Sequence, residues 1–101
     1  DHKFEKVNYR DVLYIEAMQN YCIIHTIERK MITYITLSSL ENQLPADRFL
    51  KVHKSYLVSI EKINSLDGHE IIIGRSRIPV SRNLKEEVFA KIMGNNLYKR
   101  N

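Results

Sequence analysis

Arg48-Phe49-Leu50-Lys51-Val52-His53-Lys54-Ser55-Tyr56-Leu57-Val58-Ser59-Ile60 is the stretch on which the fold turns. Taken as one strand, positions 50, 52, 54, 56, 58 and 60 share a face and read Leu, Val, Lys, Tyr, Val, Ile. A lysine set unpaired into such an apolar face would cost several kcal/mol. The strand is therefore expected to break at His53-Lys54-Ser55, with Lys54 turned to solvent. The stretch then becomes two short strands presenting a basic tip, and an anion is the natural guest.

The rest of the chain bounds what that tip can serve. The 101 residues make one domain with a modest core, and 44% hydrophobic with 28% charged residues describes a globular chain rather than a disordered one. The domain is expected over 1–94, with 95–101 a flexible C-terminal tail. No apolar run reaches membrane-spanning length, so no membrane partner is expected. No signal peptide is visible, but the chain begins at Asp1 rather than Met and reads as a fragment of a longer protein, so this decides little. A single cysteine, Cys22, excludes an internal disulfide and a cysteine-based zinc site; it reads as a small buried apolar residue. The four histidines are too scattered for a metal motif, and neither metal nor cofactor is expected.

Charge is unevenly placed. Residues 1–47 hold five basic and seven acidic side chains, whereas 48–85 hold eight basic and three acidic. The basic segment coincides with the broken strand, which favours an anionic partner.

In chain order, residues 2–7 suggest an edge strand. Val12 to Ala17 is a clearer strand, with Val12 and Tyr14 on one face and Leu13 and Ile15 on the other. Met18-Gln19-Asn20 breaks it before a second strand over Tyr21 to Ile27, and the pair reads as a hairpin or a sharp bend. Glu28-Arg29-Lys30 is a charged turn leading to a third strand, Met31 to Leu37. Ser38 or Ser39 caps a short helix, with Glu41 at the capping-box spacing from Ser38. Leu37, Leu40 and Leu44 form its apolar stripe, and Pro45 ends it. After the central stretch, 61–66 reads as a turn or a single helical turn. Asp67-Gly68 is a tight turn before the strand 70–73, and Gly74-Arg75 suits a two-residue turn. Arg77 to Val80 returns as an edge or bulged strand because Pro79 lacks a donor. Ser81 is the expected cap of a last helix over roughly 83–93, which Gly94 ends.

Catalysis finds little footing. No nucleophile, base and orienting group share a local spacing, and three glycines make no phosphate loop. Glu86 and Glu87 are adjacent on a helix and do not share a face, so an enzyme is not expected. Three polar breaks in apolar β structure point instead to binding. Gln19 and Asn20, with Tyr21, carry amides able to bond adenine edges. Lys54, with Lys51 and Ser55, can reach phosphate or guanine, and His53 is expected to pin the break by bonding nearby backbone. Arg82, with Ser81 and Asn83, sits at a helix start that favours phosphate, and its guanidinium can fork onto guanine. Arg75 and Arg77 on the late hairpin add phosphate contacts or simply solvate an edge.

These residues also carry a family resemblance. Asp11-Val12-Leu13-Tyr14-Ile15-Glu16-Ala17 with Asn20-Tyr21, Phe49-x-x-Val52-His53-Lys54-Ser55-Tyr56-Leu57-Val58, and Ile78-Pro79-Val80-Ser81-Arg82 resemble the LytTR DNA-binding domain of bacterial response regulators. The resemblance implies a mainly β fold: an elongated stack of small, mostly antiparallel sheets with about ten short strands, a short middle helix and a C-terminal helix. It implies base contacts at the Asn20/Tyr21 bend (the aligned residue being Gln19, Asn20 or Tyr21), at Lys54 and at Arg82. His53 and Ser55 would hold the loop, with Ser55 reaching phosphate. Members read successive major grooves of promoter DNA through loops, commonly at direct repeats. A cytoplasmic two-component regulator with an N-terminal receiver domain, acting in a phosphorelay and dimerising on DNA, is further implied. The competing readings are a β-rich module for single-stranded nucleic acid, which needs exposed aromatics for stacking, and a protein-interaction domain using open strand edges.

Overall fold

A computed structural model describes residues 5–94. It contains β1 (Val12–Ala17), β2 (Cys22–Thr26), β3 (Lys30–Thr33), α1 (Leu37–Gln43), β4 (Phe49–His53), β5 (Tyr56–Ser59), β6 (Ser65–Asp67), β7 (Glu70–Ile73), β8 (Ser76–Pro79) and α2 (Lys85–Met93). The strands form a five-stranded sheet in the order β3-β2-β1-β5-β4 and a three-stranded sheet in the order β6-β7-β8. Every ladder is antiparallel, and the molecule measures 53 × 26 × 23 Å.

The five-stranded sheet is the middle layer, because its strands are apolar on both sides. Phe49 and Leu57 point one way and pack with Val12, Ile15, Cys22 and the helix residues Leu37 and Leu40. Leu50, Val52 and Val58 point the other way, joining Tyr14 to Ile71, Ile73 and Ile78 of the small sheet and to Val88 and Ile92 of α2. Leu44 joins the α1 cluster, so the expected stripe of Leu37, Leu40 and Leu44 does face the sheet.

The central stretch breaks where the lysine demanded it. β4 ends at His53, Lys54-Ser55 form the turn, and β5 begins at Tyr56. The register passes from Lys51↔Leu57 to His53↔Tyr56, so one extra residue, Val52, is accommodated on β4 as a bulge. Lys54 is exposed while Val52 and Val58 on either side of the break are wholly buried.

Several details differ from expectation, each for a local reason. Eight strands are present among the described residues rather than about ten. Of the suggested edge strand over 2–7, residues 2–4 lie outside the described residues and 5–7 form no strand. On β1 the faces are Val12 with Ile15 and Leu13 with Tyr14, since a bulge between Val12 and Tyr14 shifts the register against β2. β3 stops at Thr33 because its partner β2 begins opposite it at Cys22, leaving Tyr34 to Thr36 without a ladder. Thr36, not Ser38 or Ser39, caps α1: its hydroxyl accepts the Ser39 N–H at 3.1 Å. Within 61–66, a 3-10 turn over Ile60–Lys62 is followed by β6, a strand made by pairing with β7 rather than by β-branched residues. The β6–β7 turn is Gly68-His69, one residue later than the Asp67-Gly68 reading, with Gly68 at φ +64°. Gly74 leads the β7–β8 turn at φ +59° as expected.

The last helix starts with a 3-10 turn over Arg82–Leu84. The Ser81 side chain makes no capping bond; its carbonyl accepts the Leu84 N–H at 3.0 Å and its own N–H donates to the Val52 carbonyl at 2.8 Å. Gly94 follows α2 in ordinary right-handed geometry, so no left-handed cap is used. The tail expected over 95–101 lies outside the described residues.

Candidate nucleic-acid interface

The connectivity brings three loops to one end of the five-stranded sheet. β1 pairs with β5 through Glu16↔Tyr56, and one step further the Ala17 N–H donates to the Ser55 carbonyl at 2.8 Å. The loop after Ala17, Met18 to Tyr21, therefore emerges beside the Lys54-Ser55 turn. That loop is a hairpin closure, with the Met18 N–H donating to the Tyr21 carbonyl at 2.8 Å. On the other side of β4, the Ser81–Val52 bond brings Arg82 to the same end. Along this end the order is loop 18–21, the Lys54 turn, then Arg82.

An open groove of about 820 Å³ joins the last two. Lys51, His53 and Lys54 line one wall; Ser81, Arg82 and Asn83 line the other. Pro79, Val80 and Leu84 give it an apolar floor, and His69 from the β6–β7 turn stands at its rim. No acidic residue lines it. Lys54, Arg82 and Asn83 are exposed, so their polar ends are available at little desolvation cost. Gln19 and Asn20 are exposed outside this groove, in a smaller cavity of about 200 Å³ shared with Tyr34 and Ile35. Tyr21 is half-buried and packs edge-on against Tyr34, with centroids 6.3 Å apart, so Gln19 and Asn20 are the loop's outward polar groups.

The Lys54 turn is held from beneath. His53 Nδ1 accepts the Ser55 N–H at 3.1 Å, which is the backbone bond expected of it. The His53 ring sits edge-on to Tyr56, and the Tyr56 hydroxyl donates to Glu16 Oε2 at 3.1 Å. Glu16 Oε1 lies 3.2 Å from His25 Nε2, and the buried His25 ring stacks on Tyr14 at 4.1 Å. Burial is the main influence on His25 and lowers its pKa from 6.5, outweighing the opposing pull of Glu16. Burial and the Glu16 carboxylate both raise the Tyr56 pKa, which keeps its hydroxyl a donor. Sequence reading missed this Glu16–His25–Tyr56 cluster. Its only trace was the alternation that places Tyr14 and Glu16 on one face of β1.

Arg75 and Arg77 are not brought to this end. Arg75 lies in the turn at the opposite end of β8 from Ser81. The Arg77 guanidinium donates from Nε to Glu70 at 2.9 Å and from Nη2 to Asp67. It is thus engaged with the small sheet's own carboxylates. His69 is the groove residue that the sequence reading passed over. Its signal was a histidine immediately before a strand that must return beside Val80.

The single-stranded reading loses ground to the placement of the tyrosines. Tyr14 is buried and Tyr9, Tyr21 and Tyr56 are half-buried, so the described tyrosines do not form an exposed stacking platform; Tyr34 alone is largely exposed. Among the described residues no cluster of His, Cys, Asp or Glu is arranged to hold a metal. Cys22 is buried, with its thiol pKa raised by burial, which disfavours the nucleophilic thiolate. No described helix is long and apolar enough to cross a membrane.

Comparison with known proteins agrees with the fold. The LytTr DNA-binding domain family matches residues 2–93. The chain is 28% identical over 88 residues to the sensory transduction protein LytT of Bacillus anthracis, covering 81% of this chain and 36% of that protein. It is 33% identical over 66 residues to the CO-responsive transcriptional regulator RcoM of Rhodospirillum rubrum, covering 65% of this chain and 28% of that protein. It therefore spans about a third of the length of these relatives. A solved LytTr DNA-binding domain of a putative methyl-accepting/DNA response regulator from Bacillus cereus superposes with a TM-score of 0.76 at 26% identity, over 87% of this chain and 85% of that one. A match running through nearly the whole chain, on the same mainly β fold, places this protein in the LytTR family of DNA-binding domains.

Proposed function

We propose that the chain binds specific sequences in double-stranded promoter DNA, as the output domain of a transcriptional response regulator. The observation that carries this reading is the acid-free groove holding Lys54 and Arg82, at the sheet end where the Gln19-Asn20 loop also emerges. Phosphate attraction supplies affinity, and exposed amide and guanidinium groups supply base discrimination. In this reading Lys54, Arg82 and the Asn20/Tyr21 loop contact bases, with Gln19 the outward amide beside them. Lys51, Ser55, Ser81 and Asn83 contact phosphate or support those that do, and His53 holds the turn.

The backbone ends of the three sites span about three strand spacings, roughly 15 Å. Successive major grooves on one side of straight duplex are about 34 Å apart. Extended side chains narrow that difference, and curvature of the duplex toward the protein closes the remainder. The proposed mode is loops reaching into successive major grooves of a bent site, with two copies side by side on a direct repeat. A receiver domain N-terminal to this one, phosphorylated in a two-component phosphorelay in the cytoplasm, would control that pairing. Among the relatives, LytT is named a sensory transduction protein and RcoM a transcriptional regulator, which supports a role in signal-controlled transcription.

The test begins with selection of bound duplexes from a random pool. Arg82→Ala should lower affinity for the selected site by about 1–3 kcal/mol and relax one base position. Log affinity should fall with log salt at about −0.9 per neutralised phosphate. Full affinity and specificity in the variant, or a flat salt response, would overturn the assignment.

A further inference from the structure

We infer that His69 is a further DNA contact, taking a backbone phosphate at the groove rim and making part of the affinity proton-linked. The inference rests on the duplex-binding reading above. His69 lies in the β6–β7 turn, yet it is held against the far end of β8: the Val80 N–H donates to its carbonyl at 2.9 Å. That bond sets it directly before Ser81 and Arg82. Gly68, at φ +64°, makes the turn tight enough for the exposed imidazole to stand at the rim. The three-stranded sheet thereby adds a contact from a second layer to a site otherwise built on the five-stranded sheet and the start of α2.

The charges around the ring favour a phosphate there. Lys51, Lys54 and Arg82 face the same groove. The two carboxylates flanking the turn, Asp67 and Glu70, are both engaged by Arg77 and do not line the groove. Glu86 and Glu87, at the start of α2, do not line it either. His53, the other groove histidine, already uses Nδ1 to accept the Ser55 N–H, and a second proton there would cost it that bond. His69 makes no side-chain hydrogen bond among the described residues. It is the groove histidine whose ring is free to donate to a phosphate. Arg77 acquires a role from the same geometry, because it holds the Asp67 and Glu70 carboxylates away from the rim.

Phosphate contact is sequence-independent, so a mixed-sequence duplex of about 30 base pairs is a sufficient probe. Affinity is measured for wild type, His69→Gln and His69→Lys at about pH 5.5 and about pH 8, which bracket histidine titration, each over a salt series. Wild type should bind about three- to tenfold more tightly at the lower pH, with a salt slope steeper by about 0.9. His69→Gln should lose most of that gain and the added slope. His69→Lys should bind at both pH values about as tightly as wild type does at the lower one, and circular dichroism should show both variants folded. If His69→Gln keeps the wild-type pH response, or His69→Lys binds no more tightly than His69→Gln at pH of about 8, the inference fails. If wild type does not bind duplex even at low salt, the underlying reading fails instead.

Discussion

Replacing Ile71 with alanine should weaken the fold several times more than the same change at Ile72, its neighbour on β7. Ile71 is fully buried, at 0% exposure, between the two sheets and α2, in the cluster holding Val58, Ile78 and Val88. Ile72 points to the outer face, opposite Ser65 and Arg77, and is half-buried. A closed site relaxes little when atoms are removed, so Ile71→Ala should cost about 3–4 kcal/mol of the 2–5 usual for such truncations. Ile72→Ala should cost about 1 kcal/mol or less. For a domain whose whole stability is about 5–15 kcal/mol, the first change is severe. At about 4–8 °C per kcal/mol, its melting temperature should fall by at least 12 °C or so. Urea titration measures both, read as a shift in midpoint at unchanged slope. Equal costs, or a larger cost at Ile72, would mean that β7 is set one residue out of the register described, because a one-residue slip exchanges its faces.

Acid should weaken the fold through His25. Burial lowers its pKa below 6.5, so the unfolded chain takes up a proton first; stability from this group is full above about 6.5 and declines as pH falls toward the folded value. His25→Phe keeps a ring against Tyr14 and should flatten that decline in urea midpoints taken across the range, whereas an unchanged pH slope would acquit His25. Tyr56→Phe removes the donor to Glu16, a hydrogen bond to a charged group; because water reaches the 28%-exposed Glu16 side chain, the cost should be about 1 kcal/mol rather than the full 1.5–3. If the ring alone braces His53, duplex affinity of that variant should stay within about twofold of wild type, a difference of under half a kcal/mol. Gly74→Ala should cost about 1–2 kcal/mol from left-handed backbone geometry, since nothing lies within 4 Å of the added carbon, and Gly74→Asn should cost less. Matching stability of the alanine variant and wild type would contradict the φ of +59°.

Much of this was legible in local sequence because local physics decides it. A lysine in an apolar phase forces a break, and β4 and β5 divide at Lys54. Leucines at helical spacing before a proline predict α1 and its buried face, and Gly74 predicts its own turn. The failures are equally local in origin. The capping signal of Ser38 with Glu41 is genuine as a pattern, but Thr36 precedes it and reaches Ser39 first. β6 has no strand composition of its own, and only pairing with β7 makes it one. The bulge that sets Val12 with Ile15 depends on the register of β1 against β2, which no single strand carries.

Read along the chain, the residues place an exposed lysine tip in the central stretch and set Gln19-Asn20 and Arg82 at element boundaries. Polarity and periodicity are enough for that, since each is a property of a few adjacent residues. Which of these boundaries are neighbours depends on contacts between distant parts of the chain. The Ala17–Ser55 and Ser81–Val52 hydrogen bonds, between residues far apart in the chain, gather three loops at one sheet end. The ion pairs of Arg77 likewise decide that it answers Asp67 and Glu70, while His69 reaches the groove. Proximity across strands follows from register, and register is settled by the packing of the whole core.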